Sequence, residues 1–96
     1  MSKPRGPVVH VLKTEPVPFR GLWAQRKRHE VRRFDRDYRV GDTLKLREYD
    51  PNGGHYSGRY VVAEVLWVTD PGTWGLPDDV GVLSIAEQGR GTDSGA

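Results

Sequence analysis

Residues 25–42 read QRKRHEVRRFDRDYRVGD. Seven Lys or Arg residues crowd this stretch, but Glu30, Asp35, Asp37 and Asp42 break them up, and Val31, Phe34, Tyr38 and Val40 are spaced among them. A solvated basic tail carries long blocks of one sign and no apolar positions. Here a strand-like run, His29–Phe34, leads into Asp35-Arg36-Asp37 and then Val40-Gly41-Asp42, both built from turn-forming residues. The stretch is a folded segment: a helix end, a strand and a turn.

Upstream, VVHVLKT (Val8–Thr14) is rich in β-branched residues and is expected to form a first strand. Pro16 and Pro18 suit a first helical turn. Phe19, Leu22 and Trp23 then fall at i, i+3 and i+4, giving one apolar face. A short helix over Pro16–Gln25 is expected, at a cost of about 1 kcal/mol for Gly21 in its interior. Downstream, TLKLREY (Thr43–Tyr49) alternates, with Leu44, Leu46 and Glu48 on one face. DPNGGHYSG (Asp50–Gly58) reads as a hairpin loop. RYVVAEVLWVT (Arg59–Thr69) is apolar on both faces apart from Glu64 and is expected at the sheet's centre, with Trp67 in the core. A Gly/Pro loop precedes a last strand, VGVLSIAE (Val80–Glu87). Residues 1–7 are expected to be a flexible lead-in, 8–87 the domain and 88–96 a disordered tail. The order β-α-β-β-β-β points to a mostly β, α+β domain: a small barrel of about five strands capped by a short helix.

Composition limits the function classes. The 96 residues allow one small domain, and the chain holds no cysteine, so disulfides, thiolate nucleophiles and Cys-based zinc sites are excluded. His10, His29 and His55 show no metal-ligand spacing, and neither a metal nor a cofactor is expected. No apolar run approaches the roughly 20 residues that span a bilayer. A cytoplasmic, monomeric protein is the expectation. The net charge of +2 hides an asymmetry. Residues 1–48 carry 13 basic and 6 acidic side chains, whereas 49–96 carry 2 and 7. A basic half attracts polyanions, unless the two halves neutralise one another in the fold.

Lys27-Arg28-His29-Glu30-Val31-Arg32, a K-x-x-E-x-R pattern leaving a helix and entering a strand, resembles the signature of the ASCH domains of the PUA-like superfamily. The likeness extends through His10–Thr14, Phe19, Asp35-Arg36-Asp37, Val40-Gly41-Asp42, Leu44, Leu46, Arg47–Asp50, Tyr56–Arg59 and Val82–Ile85, in the expected order. Together these resemble the short branch of the superfamily found in bacteria and phages, over about Val9–Ile85. Two departures stand out. Gln25 and Arg26 occupy the region where the family closes its helix with Gly, and Phe34 stands where an Asn often precedes Asp-Arg-Asp.

The resemblance implies a small RNA-associated barrel with its ligand cleft at the motif. Lys27, Arg32 and Arg36 are candidate phosphate ligands, Arg32 by its bidentate fork and Lys27 as a point charge. Glu30 shares a strand face with Arg32. It either fixes the basic side chains or accepts hydrogen bonds from a base's amino edge. His10 and Lys13 join the pocket if the first strand neighbours the motif strand. Tyr49 and Trp74 are candidate stacking surfaces for an unpaired base, with Tyr56 beside them. Trp74 has an alternative role as an anchor that packs its loop.

RNA or nucleotide binding is the leading expectation. A hydrolase acting on modified nucleosides or RNA is the alternative, and a protein-interaction module the third. One ASCH-type group is similar to amidohydrolases that deacetylate N4-acetylcytidine with a Lys, a Thr and a distal Glu. Carried across, the Lys is Lys27, but Glu30 stands at the Thr position and residues 70–79 hold no Glu. Catalysis, if any, would rest on Lys27 and Glu30.

Overall fold

The structure, a computed structural model, describes residues 5–93. Its elements are β1 (Val9–Thr14), α1 (Pro16–Trp23), β2 (His29–Arg33), β3 (Thr43–Asp50), β4 (His55–Thr69) and β5 (Val80–Thr92). The element order is the expected one. All five strands form one sheet in the order β1-β3-β4-β5-β2, so β4 is central and β1 and β2 are the two edges. β1 runs parallel to β3, and every other neighbour is antiparallel. The sheet curls into a half-barrel around α1.

The concave face follows from alternation. His10, Leu12 and Thr14 of β1 are buried, as are Leu44, Leu46 and Glu48 of β3 and Val61, Ala63 and Val65 of β4, with Leu83 and Ile85 of β5. Phe19 and Leu22 of α1 pack into this trough and complete the core with Tyr38. The helix starts with Pro16 at its first position, where a missing N–H costs no intrahelical bond. It ends two residues earlier than expected. Gln25 takes φ 60°, and the N–H groups of Gln25 and Arg26 donate to the carbonyls of Leu22 and Gly21, both at 3.0 Å. This is a Schellman-type stop with Gln25 at the left-handed position that Gly favours. Gln25 thus performs the closure that the resemblance assigned to Gly.

Several expectations need correction. Trp67 is 65% exposed and not in the core. A bulge between Val65 and Trp67 inserts Leu66 and inverts the alternation, so Val68 continues the inward face opposite Leu83. The hairpin loop is shorter than expected, because His55–Gly58 already belong to β4. The expected disordered tail is strand through Thr92: Val62, Val61, Tyr60 and Arg59 register against Gly89, Arg90, Gly91 and Thr92. Of the expected flexible lead-in, residues 1–4 lie outside the described residues, while Arg5 is tied to Asp42 by two hydrogen bonds of 2.9 and 3.0 Å. Phe34 packs edge-on to Tyr38 and over Gly81, where any Cβ would lie 2.5 Å from its ring. No helix among the described residues is long and apolar enough to cross a membrane.

Candidate functional site

The K-x-x-E-x-R residues meet where the end of α1 feeds β2. Glu30 points inward from β2 and is 3% exposed. Its Oε1 accepts a hydrogen bond from Lys27 Nζ at 2.9 Å, and its Oε2 accepts one from Arg32 Nε at 3.0 Å. Lys27 Nζ also donates to the His29 carbonyl. A carboxylate buried this deeply needs such partners, since an unpaired one would cost several kcal/mol. Both cations stay partly exposed, so the trio offers positive charge outward and keeps its negative charge inside.

Gly21 positions Lys27. A Cβ at residue 21 would sit 2.9 Å from Lys27 Cβ, so the lysine stem lies directly on the helix at its glycine. The Gly21 carbonyl also accepts the Lys27 N–H at 3.0 Å. The helix-destabilising glycine read from the sequence therefore makes room for the motif's lysine.

Arg32 joins the two edges of the sheet. Its Nη2 donates to the Lys13 carbonyl at 3.0 Å and to Thr14 Oγ1 at 3.2 Å. Among the described residues β1 and β2 share no ladder, and the Arg32 side chain bridges the first strand and the motif strand. Around the junction lies an open cleft of about 430 Å³ lined by Lys13, Thr14, Glu15, Lys27, Glu30 and Arg32. A second cleft of about 350 Å³ continues from Lys13 and Arg32 to Arg33, Arg36, Tyr38 and Tyr56. Together the two clefts carry five cations and three carboxylates. On the other side of Lys27 is a cavity of about 520 Å³ with a mostly apolar lining that includes Leu22, Val61, Ala63, Leu66 and Ile85, together with the charged Arg28 and Glu87.

Lys13, Lys27, Glu30, Arg32 and Arg36 are thus brought together. Tyr49 stands on the convex face with Lys13 Nζ 4.4 Å above its ring. Trp74 is 92% exposed, lines neither cleft and packs no loop. His10 is buried on the concave face, and its Nε2 lies 2.8 Å from Asp42 Oδ2. Asp42, 1% exposed, also accepts the N–H groups of Val8 and Arg39 besides Arg5. Burial alone would raise its pKa. The hydrogen bonds from Arg5, His10, Arg39 and Val8 outweigh that and hold it well below the usual carboxylate range. His10–Asp42 therefore ties the start of β1 to the turn before β3; His10 lines neither cleft, although its ring packs 4.7 Å from that of Tyr38 in the second.

The sequence reading missed Thr14, which supplies the cleft's hydroxyl, and Arg47, whose guanidinium stacks 3.8 Å above Tyr56. The cross-strand register that creates the second pair carries no local sequence signal.

A family model described as a domain of unknown function, DUF3850, matches residues 9–85. The chain belongs to the DUF3850 family. The match begins at the first residue of β1 and ends within β5, so it takes in the whole cleft. The chain is also similar to an uncharacterized 12.9 kDa protein in the GpA 3′ region of Escherichia phage P2, 38% identical over 66 residues. That alignment covers 69% of this chain, and the chain spans 59% of the phage protein's length.

Proposed function

We propose that this DUF3850 chain is an ASCH-type member of the PUA-like superfamily and binds RNA or a nucleotide at the Lys27–Glu30–Arg32 junction. The observation that carries this reading is the position of Lys27. It lines both the polar cleft, with Lys13 and Arg32, and the apolar cavity floored by Val61, Ala63 and Ile85. A nucleotide has that duality, an anionic phosphate joined to a planar, weakly polar base. Lys13 and the outward edges of Lys27 and Arg32 suit the phosphate. The cavity's size lies within the range of about 300–1,000 Å³ that small-molecule sites occupy. Glu30 orients the two cations and keeps them from collapsing onto other carboxylates.

The test is fluorescence anisotropy with short labelled RNA and with nucleoside monophosphates at low salt. Binding should weaken on charge reversal at Lys27 or Lys13 and with added salt. Absence of binding to both ligands at low salt overturns the proposal.

A further inference from the structure

The convex face of the sheet carries a second set of cations and aromatics. Lys13 of β1 registers against Arg47 of β3, Arg47 against Tyr60 of β4, and Tyr49 against Tyr56. Lys13 lies over Tyr49 at 4.4 Å, and Arg47 over Tyr56 at 3.8 Å. The Tyr49 and Tyr56 rings meet edge-on with centroids 4.9 Å apart. The four side chains therefore form one continuous cluster, Lys13–Tyr49–Tyr56–Arg47. Among the described residues neither Lys13 nor Arg47 has a carboxylate partner, and each cation rests only on a tyrosine ring. Arg33, Arg39, Arg59 and Arg90 are paired with Asp or Glu, whereas Arg20, Arg26 and Arg28, like Lys13 and Arg47, form no ion pair among the described residues, but of these unpaired cations only Lys13 and Arg47 share one joined aromatic cluster. Tyr56 also lines the second cleft beside Lys13, Arg32 and Arg36. Lys13 thus belongs to both clefts and to the aromatic cluster, and no gap separates the motif from Tyr56.

We infer that the ligand is an unpaired nucleic-acid strand of more than one nucleotide, which runs from the Lys27–Arg32 cleft past Lys13 and stacks a neighbouring base on the Tyr49–Tyr56 pair. This rests on the nucleic-acid reading above and adds strandedness and length to it. Lys13, Arg36 and Arg47 follow the backbone phosphates, and the tyrosines supply a sequence-tolerant stacking surface, the combination by which single strands are held. A duplex keeps its bases stacked inside and cannot offer one to Tyr56.

The experiment uses the full chain with four probes: a nucleoside monophosphate, a short single-stranded RNA, the same sequence in DNA, and its RNA duplex. Each strand carries 2-aminopurine, whose fluorescence reports stacking, and inorganic polyphosphate serves as a base-free anion. Wild type should bind the single strands more tightly than the mononucleotide or the duplex and should change 2-aminopurine emission. Tyr56→Leu should lose on the order of 10-fold in single-strand affinity while leaving polyphosphate binding unchanged. Tyr56→Phe, which keeps the ring, should retain binding and controls for folding. A difference between the RNA and DNA strands identifies which sugar the cleft accepts. Equal affinity for single strand and mononucleotide, with Tyr56→Leu unchanged and a Lys13 charge reversal still weakening binding, overturns this inference and leaves the nucleic-acid reading standing. No binding of any probe overturns both.

Discussion

The Arg32 guanidinium reaches across the open side of the half-barrel to the Lys13 carbonyl, 3.0 Å from Nη2. One end of the sheet is thereby tied to the other by a side chain rather than a ladder. The same guanidinium holds buried Glu30, so closure of the barrel and assembly of the motif are one event.

Arg32→Ala should be strongly destabilising. It leaves Glu30 buried with Lys27 alone and frees the β1 edge. Breaking a buried pair from one side costs about 3–5 kcal/mol, and the partial exposure of Arg32 places the expected loss nearer 2–3 kcal/mol. Urea denaturation measures it. Amide exchange should show β1 opening before β3 and β4, because no ladder joins that edge to β2 and the Arg32 hydrogen bonds bridge the two. Arg32→Lys should recover little, since an ammonium cannot serve Glu30, Lys13 and Thr14 together.

Glu30→Gln separates two roles for this carboxylate. If Glu30 serves to orient the cations, the variant loses about 2–3 kcal/mol of stability but binds polyphosphate several-fold more tightly, because a negative charge has left the cleft. If Glu30 instead reads a base, affinity for one nucleotide falls selectively while polyphosphate binding hardly moves. Titration of four nucleoside monophosphates and polyphosphate distinguishes the outcomes, and the first is expected.

The helix stop offers a contrasting pair of substitutions. Gln25→Gly removes a side chain from a residue at φ 60° and should stabilise the domain by about 0.5–1 kcal/mol in thermal unfolding. Gly21→Ala should bring no such gain, although alanine favours a helix by about 1 kcal/mol. Its Cβ would press on Lys27 Cβ at 2.9 Å and shift the lysine from Glu30. Weakened nucleotide binding by Gly21→Ala with the fold intact is the expected signature.

Acid should destabilise the domain through Asp42. Its folded pKa lies below its unfolded value, so the stability it confers is fully present above about pH 4 and is lost as pH falls toward the folded pKa. The loss approaches about 1.4 kcal/mol per pH unit below the unfolded pKa. Asp42→Asn should lower stability at neutral pH by about 3 kcal/mol and flatten this acid limb. Melting temperature against pH for both proteins checks the assignment.

Much of this fold was legible because its core follows simple alternation. Leu44, Leu46 and Glu48 were placed on one face by spacing alone, and that face is buried. Trp67 was misplaced because a bulge changes the phase of a strand without any residue that announces it. The end of β5 was missed because Gln88–Thr92 offer no apolar pattern. Their place comes from the backbone groups of the long β4, and Gly91 leaves room for the Tyr60 ring. At the site, the Lys27–Glu30–Arg32 trio was legible because its members are close in sequence. Arg32's contact with Lys13 and the stack of Arg47 on Tyr56 depend on curvature and register, which no short motif encodes.

The salt dependence of single-stranded RNA binding by wild type and Lys13→Gln reads the phosphate contact at the cleft itself. Lys13 is the informative position because its side chain rests only on Tyr49, so its loss should leave the fold intact. Affinity should fall with rising salt, Lys13→Gln should weaken binding several-fold, and the slope of log K against log salt should become shallower by about 0.7, the value for one released counterion on a single strand. Identical affinities and slopes for the two proteins, or no binding at low salt, would contradict the proposed binding.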